Sequence, residues 1–133
     1  MAKINYWAIL VAAIAAFLFS SLYYSPLLLG RVWRSIDPVV TAAAKPSASK
    51  ALIELARTLA ITLVIARVLA MLQVVEWKSA VQLAVLLWFG FSAVMWIGAI
   101  MWEQTPWPVA AIHSGDWLVK TVFIAFILGV WHQ

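Results

Sequence analysis

The segment Asn5-Tyr6-Trp7-Ala8-Ile9-Leu10-Val11-Ala12-Ala13-Ile14-Ala15-Ala16-Phe17-Leu18-Phe19-Ser20-Ser21-Leu22-Tyr23-Tyr24 carries no charge over its whole length. At about 1.5 Å per residue it reaches about 30 Å as a helix, the thickness of a bilayer's hydrocarbon core. A helix keeps every backbone N–H and C=O paired within the segment, which hydrocarbon demands. Tyr6 and Trp7 at one end, and Tyr23 and Tyr24 at the other, suit the two headgroup levels. Lys3 stands before the run, as in a secretory signal, but the run is long for one. Tyr23-Tyr24-Ser25-Pro26 also lacks the small residues of a cleavage site, so the segment is read as a permanent span. Within it Ala8, Ala12, Ala16 and Ser20 recur every fourth residue, a stripe on which another helix can pack closely.

Moving outward, Pro26 and Gly30 break the helix. Residues 31–50 are the one sizeable polar stretch, with Arg31, Arg34, Lys45 and Lys50 against the single acid Asp37. They read as a membrane-surface loop. A second span is expected over about 51–75, with Glu54, Arg57 and Arg67 inside it. Glu76-Trp77-Lys78 turns into a third span, about 79–102, crowded with Trp88, Trp96 and Trp102. Thr105 before Pro106 suits an N-cap with proline at the first helical position, opening a fourth span over about 106–131.

Composition agrees. Of 133 residues, 66% are hydrophobic and 11% charged, and mean hydropathy is +1.01. A soluble domain is about half apolar and about a quarter charged. The fold class expected is therefore an all-α membrane protein, a single domain over residues 1–133 built as an up-and-down bundle of four transmembrane helices. The absence of cysteine excludes disulfides, thiolate metal sites and cysteine nucleophiles. The net charge of +4 comes from scattered basic residues, which act as topology signals and not as a nucleic-acid patch. The first connection holds four Lys or Arg and the third none, while Lys3 and Lys78 lie on the other side. That bias puts the 31–50 loop in the cytoplasm and both termini outside.

Charges within spans are costly, and they usually face one another or water. On the fourth helix His113, Asp116 and Lys120 share one face, and Asp116 and Lys120 form an i, i+4 pair. On the second, Glu54 and Arg57 form an i, i+3 pair. Counting depth from assumed midpoints sets Arg57 level with Asp116 and Glu54 level with His113, with Glu103 near that rim. The expectation is a buried polar cluster of Glu54, Arg57, Glu103, His113, Asp116 and Lys120, whose charges nearly cancel. Arg67 points about 80° away from Arg57. It reads as snorkelling toward Glu76 or a lipid phosphate, or as stacking on Trp88; the sharper alternative is a subunit contact or a pore lining. Thr121, Ala125 and Gly129 form a second small stripe, suited to the first helix or a neighbouring subunit. His113 has no second histidine near it, since His132 lies at the opposite end, so no metal and no cofactor is expected. Gly-rich phosphate loops, GxSxG and HExxH are all missing, and a catalytic role is not expected.

Two segments carry a resemblance. One is Asn5-Tyr6-Trp7-Ala8-Ile9-Leu10-Val11-Ala12-Ala13 with Tyr24-Ser25-Pro26-Leu27-Leu28-Leu29-Gly30 and Trp33. The other is Ile112-His113-Ser114-Gly115-Asp116-Trp117-Leu118-Val119-Lys120, closing with Ile127-Leu128-Gly129-Val130-Trp131. Together they resemble the bacterial membrane family known as domain of unknown function 1761. The resemblance covers both ends and the general layout of the middle. It implies a small four-helix protein of the bacterial inner membrane, with no activity to carry over. Many members have Asn and Tyr where His113 and Asp116 stand, so the charged fourth helix departs from the family's pattern.

The functional expectation is a structural, accessory or lipid-binding membrane subunit, with membrane lipids and other copies of the chain as partners. The alternative is a small oligomeric channel or transporter for protons, ions or a small solute, using the charged cluster. A water-filled cavity at the cluster would favour the second, and a dry, fully paired cluster the first.

Overall fold

The computed structural model describes residues 5–23 and 48–131, which form four helices and no strand. Helix α1 is Tyr6–Tyr23, α2 is Ala48–Met71, α3 is Trp77–Trp102 and α4 is Trp107–Val130. Three of them, α1, α3 and α4, are long and apolar enough to cross a membrane, the pattern of a multi-pass membrane protein. Helix α2 is equally long, but Lys50, Glu54, Arg57 and Arg67 lower its apolar character. Tyr24, the Ser25-Pro26 break and loop residues 31–47 lie outside the described residues.

Helix boundaries differ from the expected ones for local reasons. Residues 48–50, expected in the loop, are the first turn of α2. That helix stops at Met71, short of Val75, because Gln73 takes a left-handed conformation (φ 54°). The Val74 N–H then donates to the Leu69 carbonyl at 2.9 Å and the Gln73 N–H to that of Ala70 at 3.2 Å. This is a Schellman-type stop with Gln where glycine is usual. Gln104 (φ 55°) ends α3 in the same backbone region. The N-cap of α4 is Pro106 and not Thr105, which corrects the expected start. Pro106 has the extended ψ of 131° that a cap needs, and its carbonyl accepts the Ala110 N–H at 3.1 Å. Pro108 then falls in the first turn, where its missing N–H breaks no helical bond.

Helix α4 is the hub. It packs along α1 on one side and α3 on the other, and α1 also packs on α2. The neighbours of α4 run antiparallel to it: Asn5 at the start of α1 donates to the Trp131 carbonyl, while Tyr23 at its end donates to that of Ile112. Trp77 at the start of α3 abuts Gly129. The core is made of small residues. Ala8, Ala12 and Ala16 are fully buried and Ser20 nearly so. Ala80 and Ala84 on α3 and Ala125 on α4 are buried with them, and Ile9, Ile65, Ile124 and Leu128 fill between. Where aqueous burial supplies no drive between helices, close approach of this kind supplies it by van der Waals contact. Gly129 shows the limit of that approach: a Cβ there would lie 2.6 Å from the Trp77 Cα. The stripe of Thr121, Ala125 and Gly129 thus receives α3 at its glycine.

Residues Trp88–Ala93 of α3 form a π-helical turn between the α-helical stretches Trp77–Leu87 and Val94–Trp102. Trp88 and Trp96 are eight positions apart, which in a regular α-helix would turn them about 80° from each other. A π turn absorbs roughly one extra residue and brings them back to within about 20°. Both rings therefore meet α4, Trp88 at Ser114 and Trp96 at His113.

Candidate functional site

Four charged side chains meet where α2, α4 and the last turn of α1 come together. Lys120 is 1% exposed and Asp116 is 3% exposed, both on α4. The Lys120 ammonium donates to Glu54 Oε1 at 3.2 Å and lies 3.6 Å from Asp116 Oδ2. Glu54 Oε2 accepts from Arg57 Nη1 at 2.7 Å. Asp116 Oδ1 accepts from the Ser20 hydroxyl at 2.9 Å. The chain of contacts runs Ser20, Asp116, Lys120, Glu54, Arg57, and passes from α1 through α4 to α2. Two cations and two carboxylates cancel, the condition for holding ions at low dielectric.

Trp117 lies against both cations. The Lys120 nitrogen is 4.5 Å from its ring centroid and the Arg57 guanidinium carbon 5.6 Å. Such contacts strengthen when the cation is desolvated. Beside the charges, Thr58 and Thr62 are fully buried and bond back to the carbonyls of Glu54 and Thr58. Every fully buried side-chain nitrogen or oxygen among the described residues has a hydrogen-bond partner.

The same turn of α4 receives α3 and the end of α1 through its backbone. The Tyr23 hydroxyl donates to the Ile112 carbonyl at 2.8 Å, and the Trp88 indole N–H to the Ser114 carbonyl at 2.8 Å. A Cβ on Gly115 would lie 3.0 Å from the Tyr23 hydroxyl oxygen, so the glycine gives the phenol its place. Residues 112–120 of α4 thus bond to all three other helices.

The expected cluster is redrawn in its membership. The pairs within helices are the expected ones, Arg57 with Glu54 and Lys120 with Asp116, and the link between helices runs from Lys120 to Glu54. The physical reason for that link is side-chain direction: long side chains on a helix lean toward its N-terminus, so Lys120 reaches back about one turn. The cluster is also graded in burial. Asp116 and Lys120 are buried, the Glu54 side chain is 33% exposed and that of Arg57 is 57% exposed. Glu103 is exposed as the C-cap residue of α3, outside the ion-paired set. His113 is half-buried with its ring stacked on Trp96 (centroids 5.3 Å apart, planes 19° apart). Arg67 is exposed on α2, and Trp88, weighed as its stacking partner, is turned to Ser114 instead. Sequence reasoning took Ser20 for a packing residue and passed over Tyr23, Gly115 and Trp117 as site residues. Gly115 sitting between His113 and Asp116 was the available signal, since glycine inside a helix is costly and often has a packing reason.

A family model described as "Protein of unknown function (DUF1761)" matches residues 7–129. No curated protein and no solved structure matches the chain.

Proposed function

The chain belongs to the DUF1761 family of proteins of unknown function, and on that footing we propose that it is a four-span membrane protein with a structural or accessory role. In this reading the polar turn 112–120 fixes the register of the bundle. Support for α2 as the fourth span comes from direction. Helices α1 and α3 both run antiparallel to α4, so the chain must return across the membrane between them. Helix α2, 24 residues and about 36 Å long, is the segment available for that crossing.

The observation that carries the structural reading is the complete pairing of the buried polar atoms around a neutral set of charges. Removing Asp116 or Lys120, the two buried members, leaves the other charged and buried, at a cost of about 3–5 kcal/mol in soluble proteins. A set of this kind holds helices in one register, because sliding a helix by one turn unpairs it. The bundle is placed in the bacterial inner membrane, with the rim where α2 begins facing the cytoplasm and both termini outside. No catalytic step is assigned to it. Membrane lipids and further copies of the chain, or a larger membrane complex, are its partners.

The test is Asp116→Asn and Lys120→Met, singly and together, assayed for thermal stability in detergent and for proton and ion flux in proteoliposomes. The structural reading expects each single variant to lose stability, with flux at the level of protein-free vesicles in parent and variants alike. Parent flux well above that level, abolished by Lys120→Met with stability intact, would establish the conduit reading instead.

A further inference from the structure

The depth of the charged set follows from α1. Its described part spans 18 residues, about 27 Å, close to the minimum that crosses hydrocarbon. Tyr6 and Tyr23 at its ends mark the two headgroup levels. Ser20 is three residues before Tyr23, so Asp116, which it bonds, lies about one turn below the headgroups. Lys120, Glu54 and Arg57 are joined to Asp116 through successive contacts and lean toward the same rim. The members differ in access. Lys120 and Asp116 are closed off, whereas Arg57 stands 57% exposed at the outer end. Glu54 holds one terminal nitrogen of Arg57, and among the described residues the other guanidinium N–H groups have no acceptor. The Trp117 ring lies against the guanidinium and restricts its orientation.

An arginine just below the headgroups, fixed on one side and open on the other, matches a phosphate in charge and geometry. We infer that Arg57, steadied by Glu54 and Trp117, binds the phosphate of an anionic phospholipid drawn in beside the N-terminal half of α2. This rests on the reading of the chain as a membrane bundle ordered by the polar set, and names the lipid class it takes. The fixed register of α2 and α4 is what presents the guanidinium at that depth. The free Arg67 side chain on α2 has no such neighbouring carboxylate or ring contact among the described ion pairs and ring contacts, so selectivity is assigned to Arg57.

The test uses the full chain in mild detergent, with lipid retention read by native mass spectrometry. The probes are phosphatidylglycerol, phosphatidylcholine and inorganic phosphate. The parent retains phosphatidylglycerol in preference to phosphatidylcholine, and millimolar inorganic phosphate does not displace it. Arg57→Gln weakens retention by about tenfold, as loss of a charge-assisted pair implies, and Arg57→Lys restores part of it. The thermal midpoint of Arg57→Gln stays at the parent value, which separates loss of the lipid site from collapse of the bundle. Equal retention by parent and Arg57→Gln, equal retention of the two lipids, or displacement by inorganic phosphate alone would each overturn the proposal. A fall in the Arg57→Gln midpoint together with lost lipid is resolved by Glu54→Gln/Arg57→Gln. If that variant recovers the midpoint but not the lipid, the site stands; if it recovers both, the site is overturned.

Discussion

The Ser20 hydroxyl donates to Asp116 Oδ1 at 2.9 Å, joining the last turn of α1 to the middle of α4 across 96 positions of sequence. Both residues are buried, so no water replaces the donor when it is lost. Ser20→Ala keeps the small size that the α1 stripe needs and removes only the hydrogen bond. It is expected to destabilise the bundle by about 1–3 kcal/mol. Denaturant unfolding in detergent measures this, and Ser20→Thr, which keeps the hydroxyl, should cost more through crowding than through polarity.

Gly115 and Tyr23 form a second junction between the same helices. A methyl group on residue 115 would stand 3.0 Å from the Tyr23 oxygen, and the phenol must give way. Gly115→Ala is therefore expected to break the bond from Tyr23 to the Ile112 carbonyl and to lower stability by about 1 kcal/mol. In a Tyr23→Phe background the clash and the bond are both gone, and the same glycine substitution should stabilise by about 0.5–1 kcal/mol, the helix preference of Ala over Gly. Thermal midpoints of the four proteins decide this.

At the opposite end, Gly129 faces backbone and not the tip of a side chain. A Cβ there meets the Trp77 Cα at 2.6 Å and the Ala80 Cβ at 3.1 Å. The start of α3 would have to move away from α4, opening the contact of Trp77 with Phe126. Gly129→Ala should destabilise by about 1–3 kcal/mol, the usual cost of overpacking. A change in Trp fluorescence at matched folded fraction would report the shift of Trp77.

Legibility in the sequence follows the range of the interaction. Ala8, Ala12, Ala16 and Ser20 are buried as one face, because an i, i+4 stripe is a property of one helix and can be counted. The four helices follow from long apolar runs and the turns that separate them; of the four expected spans, three are long and apolar enough to cross a membrane, and α2 with its four charges falls short of that measure. The pairing across helices was not legible. Lys120 meets Glu54 because α4 and α2 are offset along their axes and the lysine reaches back, and neither quantity is written in local spacing. Trp88 and Trp96 both face α4 only because a π turn lies between them, and the Phe89-Gly90-Phe91 sequence there has no marker that periodicity detects. Glu103 looked near enough to join the cluster, but the stop of α3 leaves it at the exposed rim.

Ionised groups on α2 and α4 stabilise one another within the bundle, and a double-mutant cycle on Glu54 and Lys120 measures that directly. Glu54→Gln, Lys120→Met and the double variant are unfolded by denaturant in lipid-containing detergent micelles. The predicted coupling is about 1–3 kcal/mol, with the double variant more stable than the sum of the single losses. Strict additivity, within about 0.5 kcal/mol, would contradict the claim that this pair holds the two helices together.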